Sequence, residues 1–172
     1  QDILAILCYK PFKQTTFSLY RNKIQDLFAL HHALDICNLI INTPYDEDKI
    51  RTSITSIEQD YDPITDSVKQ QYEKNPYPRW LLCEHFDAEP PKMRFNRLLS
   101  ENVVLPSSFE SDNIEILVAG CGTGKHPIEL SYLHPNAKIS AFDISSHSLS
   151  YGMNMANKLN RNIEFYQEDI LS

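Results

Sequence analysis

The sequence predicts an α/β fold: an N-terminal helical region followed by the first half, β-α-β-α-β, of a parallel sheet. Three observations carry this. Residues 114 to 167 alternate short apolar runs with helical stretches. Before that point the apolar residues recur at helical spacing instead. Of the 4 glycines in 172 residues, three fall at alternate positions, Gly120, Gly122 and Gly124, directly after the first apolar run. Glycine loses more freedom than other residues on folding, but it permits positive φ and close approach to the main chain.

Residues 1 to about 60 read as helical. Leu27, Leu30, Leu34, Cys37 and Ile41 are spaced by three and four, one face of an amphipathic helix. "NTPYDED" is expected to break it. A second helical stretch with Ile50, Ile54 and Ile57 runs to "DYDP". Pro63 after Asp62 reads as a restart, with Asp as N-cap and Pro in the first turn. That helix carries Ile64, Val68 and Tyr72 and stops at "NPYPRW", where two prolines enforce extended backbone. Residues 87 to 112 read as a linker with a short helix around "KMRFNRLLS".

The alternating region follows. "IEILVA" is a strand, "KHPIELSYLH" a helix with Pro127 in its first turn, and "AKISAFD" a strand. "SHSLSYGMNMANKLN" is a helix and "IEFYQ" a strand. Such alternation gives a parallel sheet with right-handed crossovers. The domains expected are 1–100, helical and including the segment 70–82, and 101–172, the partial sheet. Three strands are half of a doubly wound sheet. The expectation is that the chain continues beyond Ser172, or that another chain supplies the missing pairing. Gln1 in place of Met points the same way, to sequence missing upstream.

Composition narrows the function. At 42% hydrophobic and 23% charged residues the chain is of ordinary globular type. Net charge −7 and pI about 5.3 argue against a nucleic-acid surface, which needs clustered Lys and Arg. No apolar run approaches the ~20 residues of a membrane span, and "QDILAILCYK" has no basic start. Cys8, Cys37, Cys83 and Cys121 are too scattered for a zinc pair, so no metal is expected and reducing cytoplasm is the expected setting.

The glycine loop "AGCGTGKH" has three candidate ligands. A P-loop, G-x-x-x-x-G-K-[ST], would need Ala119 as its first glycine and His126 as the magnesium-binding hydroxyl, so two defining positions fail. The dinucleotide fingerprint G-x-G-x-x-G/A would put Lys125 or Pro127 at its third small position, which disfavours NAD or FAD. The third candidate is a G-x-G-x-G loop, which resembles that of S-adenosylmethionine enzymes, whose ligand has no pyrophosphate and lies flat against the main chain. A ribose-binding acid should then end the next strand, about 20 residues on. Asp143 lies there, 23 positions after Gly120.

"ILVAGCGTG" with "AFDIS" and "QEDIL" resembles the class I S-adenosylmethionine-dependent methyltransferases. The resemblance implies S-adenosylmethionine as cofactor. It implies that Gly120, Cys121, Gly122, Thr123 and Gly124 line the cofactor. Asp143, with Ile144 beside it, would hold the ribose hydroxyls, and Asp169 and Ile170 would hold the adenine. The first strand of that family often carries an acid where this chain has Val118, which leaves the amino-acid end of the site undefined. In the family's sheet the strand at 114–119 is central.

"DPITDSVKQQYEKNPYPRW" adds a likeness, over residues 61 to 172, to a bacterial group of methyltransferases often fused to tetratricopeptide repeats, which carry "QYEENPYPRW". In such enzymes the segment covers the cofactor. That places Tyr77, Arg79 and Trp80 over the pocket, with Arg79 paired to the methionine carboxylate. The other reading of the segment is a structural turn with Trp80 in the core. Cys121 reads as a small filler, and His126 either touches the cofactor or caps the helix, with the structural role favoured. The function implied is methyl transfer to an unidentified acceptor, protein or small molecule. The alternative is a domain that binds the cofactor without catalysis, or a scaffold. Catalytic residues are not assignable.

Overall fold

The computed structural model describes residues 16–30, 37–56, 61–99 and 103–170. The chain divides into two compact units, up to Lys49 and from Ile50 onward.

In the first unit a 3-10 turn, Thr16–Tyr20, leads into helix α1, Arg21–Leu30. A π turn at Asn38–Asn42 runs directly into α2, Thr43–Arg51. Ile24, Cys37 and Ile41 are buried, whereas Leu27 is exposed and Leu34 lies outside the described residues. The Asn42 carboxamide oxygen accepts from Arg21 Nη2 at 2.8 Å and Gln25 Nε2 at 2.5 Å. The expected break at "NTPYDED" does not occur. The Thr43 amide reaches back to the Asn38 carbonyl, and so does its hydroxyl, at 2.9 Å. The wide turn so formed delivers Pro44 into the first turn of α2, where its missing N–H is tolerated.

The expected helix through Ile54 and Ile57 is also corrected. The chain turns at Thr52–Ser53 and enters a two-residue strand β1, Thr55–Ser56. Its ladder is with β4, described below, and Ile54 packs on the core. Ile57 lies outside the described residues. Pairing with an open strand edge wins here over helical spacing.

Helix α3, Pro63–Lys74, starts as the sequence predicts. Asp62 Oδ1 accepts from the amides of Ile64 (2.9 Å) and Thr65 (3.2 Å), with Pro63 at the first position. Its Ile64, Val68 and Tyr72 row faces outward, exposed. Helix α4, Pro91–Leu98, and a 3-10 turn at Ser107–Glu110 fill the linker, joined by an edge-on Phe95–Phe109 pair.

The sheet follows as predicted: β2, Glu115–Ala119; α5, Lys125–Leu133; β3, Lys138–Asp143; α6, Ser146–Lys158; β4, Glu164–Gln167. All pairings are parallel, in the order β1-β4-β3-β2. Val118, Ala141 and Phe165 stand side by side on one face, with Ile116 next to Ile139. This face is packed by Ile128 of α5 and by Leu149, Tyr151 and Ala156 of α6. Two successive right-handed crossovers in one direction put both helices on one side. The opposite face, with Leu117 and Tyr166, is open among the described residues, and β2 has one strand neighbour there. Parallel sheets are ordinarily covered on both faces.

Candidate functional site: the glycine loop and the segment that clasps it

The site lies beyond the carboxyl ends of β2, β3 and β4, where open parallel sheets bind ligands. Gly120, Gly122 and Gly124 have φ of 63°, 55° and 77°. That is the left-handed region, which side chains other than glycine rarely adopt. Their surroundings differ. A side chain on Gly120 would meet nothing within 4 Å, so this face is open to a ligand. On Gly122 it would point toward the Tyr77 carbonyl oxygen, 4.0 Å away. On Gly124 it would lie 2.8 Å from the Cα of Gly152.

The loop is stitched to β3. The Cys121 amide donates to the Phe142 carbonyl at 3.0 Å. The Gly122 amide donates to Asp143 Oδ2 at 2.8 Å, and the Ser145 amide to Asp143 Oδ1 at 2.9 Å. Asp143 thus organises two loops, a role the sequence does not disclose. A carboxylate accepts at about four positions, so each oxygen retains a lone pair for a donor on a ligand. The third loop joins the second: the Glu168 amide donates to the Asp143 carbonyl at 3.1 Å, and Gln167 Nε2 to the Ile144 carbonyl at 3.0 Å. Asp169 is half-buried and Ile170 exposed just beyond.

The segment "EKNPYPRW" reaches the same loops. Trp80 is buried, and its indole Nε1 donates to the Thr123 carbonyl at 3.0 Å. Thr123 Oγ1 donates to the Pro78 carbonyl at 2.6 Å, and the Tyr151 hydroxyl to the Trp80 carbonyl. The Tyr77–Pro78 peptide is cis. The Arg79 guanidinium lies 4.5 Å from the centre of the Tyr151 ring, which meets Trp80 edge-on. Trp80 is therefore a buried residue that grips the loop. Tyr77 is exposed above the loop and Arg79 is exposed beside it.

Several residues bear on the ligand class. Thr123 Oγ1 is committed to Pro78, and Lys125 Nζ lies 3.5 Å from Glu129. Neither is arranged as a phosphate-binding loop requires. Burial, reinforced by the charge of Asp143, pushes the Cys121 thiol far above its ordinary value, so it stays protonated. The thiolate is the nucleophilic form, and Cys121 lacks it. His126 is exposed at the start of α5. Open main chain at Gly120 beside a carboxylate with acceptor capacity to spare, in a loop whose own Thr123 and Lys125 are engaged elsewhere, fits S-adenosylmethionine.

Sequence reasoning missed Glu73, Ser145, Tyr151 and Gly152. Gly152 alone carried a signal, as an isolated glycine inside a helix of a glycine-poor chain. The other three are ordinary helix and cap residues.

No curated protein sequence matches the chain. Six solved chains match it in fold comparison. One of them comes from work described as "Conversion of a Disulfide Bond into a Thioacetal Group during Echinomycin Biosynthesis". It is 17% identical, with a TM-score of 0.38 over 63% of this chain, and the chain spans 40% of its length. Residues 110–172, which hold the glycine loop, Asp143 and the loop after β4, match the family model described as a methyltransferase domain.

Proposed function

We propose that the chain carries the cofactor site of a class I S-adenosylmethionine-dependent methyltransferase. The observation behind this is the bond from the Gly122 amide to Asp143 within the segment matched to the methyltransferase domain. It joins the glycine loop and the acid after β3 into one cradle. The main chain of Gly120 to Gly124 would carry the methionine and ribose portions. Asp143 would take the ribose hydroxyls, with Ile144 beside it, and Asp169 and Ile170 would take the adenine. Residues 70–82 would cover the cofactor, with Tyr77 and Arg79 on the ligand side and Trp80 gripping the loop.

When bound, S-adenosylmethionine supplies a methyl group on a sulfonium that is already an activated leaving group. The residues around it then have to align the acceptor and exclude water, so proximity carries much of the rate. The acceptor is a protein or a small molecule. The repeat-fused relatives suggested by "QYEKNPYPRW" favour a protein. The open edge of β2 would pair with a further strand, from this protein or another. Among the described residues no helix is long and apolar enough to cross a membrane. The wide scatter of the four cysteines along the sequence is the ground for a cytoplasmic setting.

Calorimetry with S-adenosylmethionine, S-adenosylhomocysteine, ATP and NAD tests this reading. Binding of the first two and not the others is expected. Preference for ATP or NAD, or no binding of the first two, would end it.

A further inference from the structure

The start of α6 is held from another part of the chain. The first amides of a helix have no partner within it. Ser145, the N-cap, covers one of them, accepting from the Ser148 amide at 3.1 Å. The two before it are covered by Glu73, at the end of α3. Its Oε1 accepts from the Ser146 amide at 2.7 Å, and its Oε2 from the His147 amide at 3.3 Å. The same carboxylate accepts from Ser146 Oγ at 3.2 Å and touches His147 Nδ1. A carboxylate at this end also complements the helix dipole.

Five and seven residues further on, Pro78 and Trp80 hold the glycine loop through Thr123. One stretch of chain therefore grips both loops of the cradle: the glycine loop at one end, and at the other the turn that follows Asp143. Between these grips the two loops are joined to each other through Asp143, which accepts from Gly122 and Ser145. Glu73, Ser146, Ser145, Asp143 and Gly122 thus form a continuous path of hydrogen bonds and adjoining backbone.

We propose that Glu73 is a positioning residue for the cofactor site, fixing the turn after Asp143 and, through Asp143, the conformation of the glycine loop. The inference rests on the cofactor reading above, and it adds a residue that touches neither loop's ligand face. Glu73 acts from a distance: it sets where α6 begins, the start of α6 sets Ser145, and the Ser145 amide orients the Asp143 carboxylate. Burial opposes the charge on Glu73, but the bonds from His147 and Ser146 outweigh it and keep the carboxyl below its ordinary range. The group is therefore ionised at neutral pH and acts as a pure acceptor.

The experiment combines amide hydrogen exchange without ligand and calorimetry with S-adenosylhomocysteine, on the wild-type chain, Glu73→Gln and Glu73→Ala. Exchange at Ser146 and His147 should quicken in both variants. Exchange at Gly122 should quicken with it, on the order of tenfold in Glu73→Ala and less in Glu73→Gln, which keeps one acceptor oxygen. Ala141, inside β3, should keep its wild-type protection. Affinity for S-adenosylhomocysteine should fall by a similar factor, in the same order of variants. Unchanged exchange at Gly122 would reduce Glu73 to a local helix cap and overturn the proposal. Equal loss of protection at Ala141 would overturn it too, by making Glu73 a general stabiliser. Failure of the wild-type chain to bind S-adenosylhomocysteine would instead sink the cofactor reading, and exchange at Gly122 would still decide the role of Glu73.

Discussion

Gly124 and Gly152 meet main chain to main chain: a side chain on either would approach the other's Cα, to 2.8 Å from Gly124 and 3.2 Å from Gly152. The ring of Phe165 closes the contact, 3.2 Å from a side chain built on Gly152. A helix and the glycine loop come this close because neither carries a Cβ where they touch. Alanine is favoured over glycine in a helix by about 1 kcal/mol. At position 152 the backbone of Gly124 and Thr123 stands in the way, and overpacking costs about 1–3 kcal/mol. Gly152→Ala should therefore be destabilising in urea unfolding, by roughly 1 kcal/mol net. A rise in the midpoint would show that loop and helix can separate freely.

Asp143 holds the two loops and, in the proposed site, the ligand. Asp143→Ala removes the acceptor of the Gly122 and Ser145 amides, and with it the proposed ribose contacts. Affinity for S-adenosylhomocysteine should fall by ~2–3 kcal/mol, since hydrogen bonds to charged groups are worth more than neutral ones. Calorimetry measures this directly, and an unaltered dissociation constant would remove Asp143 from the site.

Trp80→Phe keeps most of the apolar volume but deletes the indole N–H, orphaning the Thr123 carbonyl in a buried place. An unsatisfied buried acceptor costs about 1–3 kcal/mol. The loss should show in thermal unfolding. Trp80→Phe with wild-type stability would mean that the carbonyl finds another donor.

The acid limb of the stability curve should carry the signature of Glu73. Its carboxyl is held below the ordinary glutamate value in the fold by bonds that prevail over burial. A depressed folded value means the unfolded chain binds the proton first. The contribution is therefore whole above the ordinary value near 4.5 and is lost as pH falls through the depressed one. Urea midpoints between pH 5 and pH 3 should fall more steeply for the wild type than for Glu73→Gln. Parallel curves would exclude Glu73 from the acid transition.

Much of the sheet was legible because its signals are local. "IEILVA", "AKISAFD" and "IEFYQ" are short apolar runs, and Asp62-Pro63 is a capping pair whose bonds reach two and three residues ahead. The glycine positions were legible for the same reason, since positive φ is a property of one residue. What was not legible depends on distant chain. Thr55 and Ser56 become a strand because the edge of β4 is there to pair with. Pro44 sits in a helix because of a bond five residues back, from Thr43 to Asn38. In the proposed site, Gly120 and Asp143 are the residues that spacing names. The grip of Glu73 on Ser146 spans 73 positions, and no pattern in the sequence announces it. Trp80 was placed near the loop by resemblance, but only the packed structure shows its indole turned to the Thr123 carbonyl.

The chain has a single tryptophan, and its N–H is spent on one peptide carbonyl of the glycine loop. Within these 172 residues the indole emission therefore comes from one place. Indole emission shifts to the red as its surroundings become wetter, so the colour of this protein's fluorescence is a gauge of how tightly the loop is held. Any ligand or neighbour that tightens or loosens the bond to Thr123 changes that colour without a label. The protein comes with its own optical probe, wired to the loop whose ligand is in question.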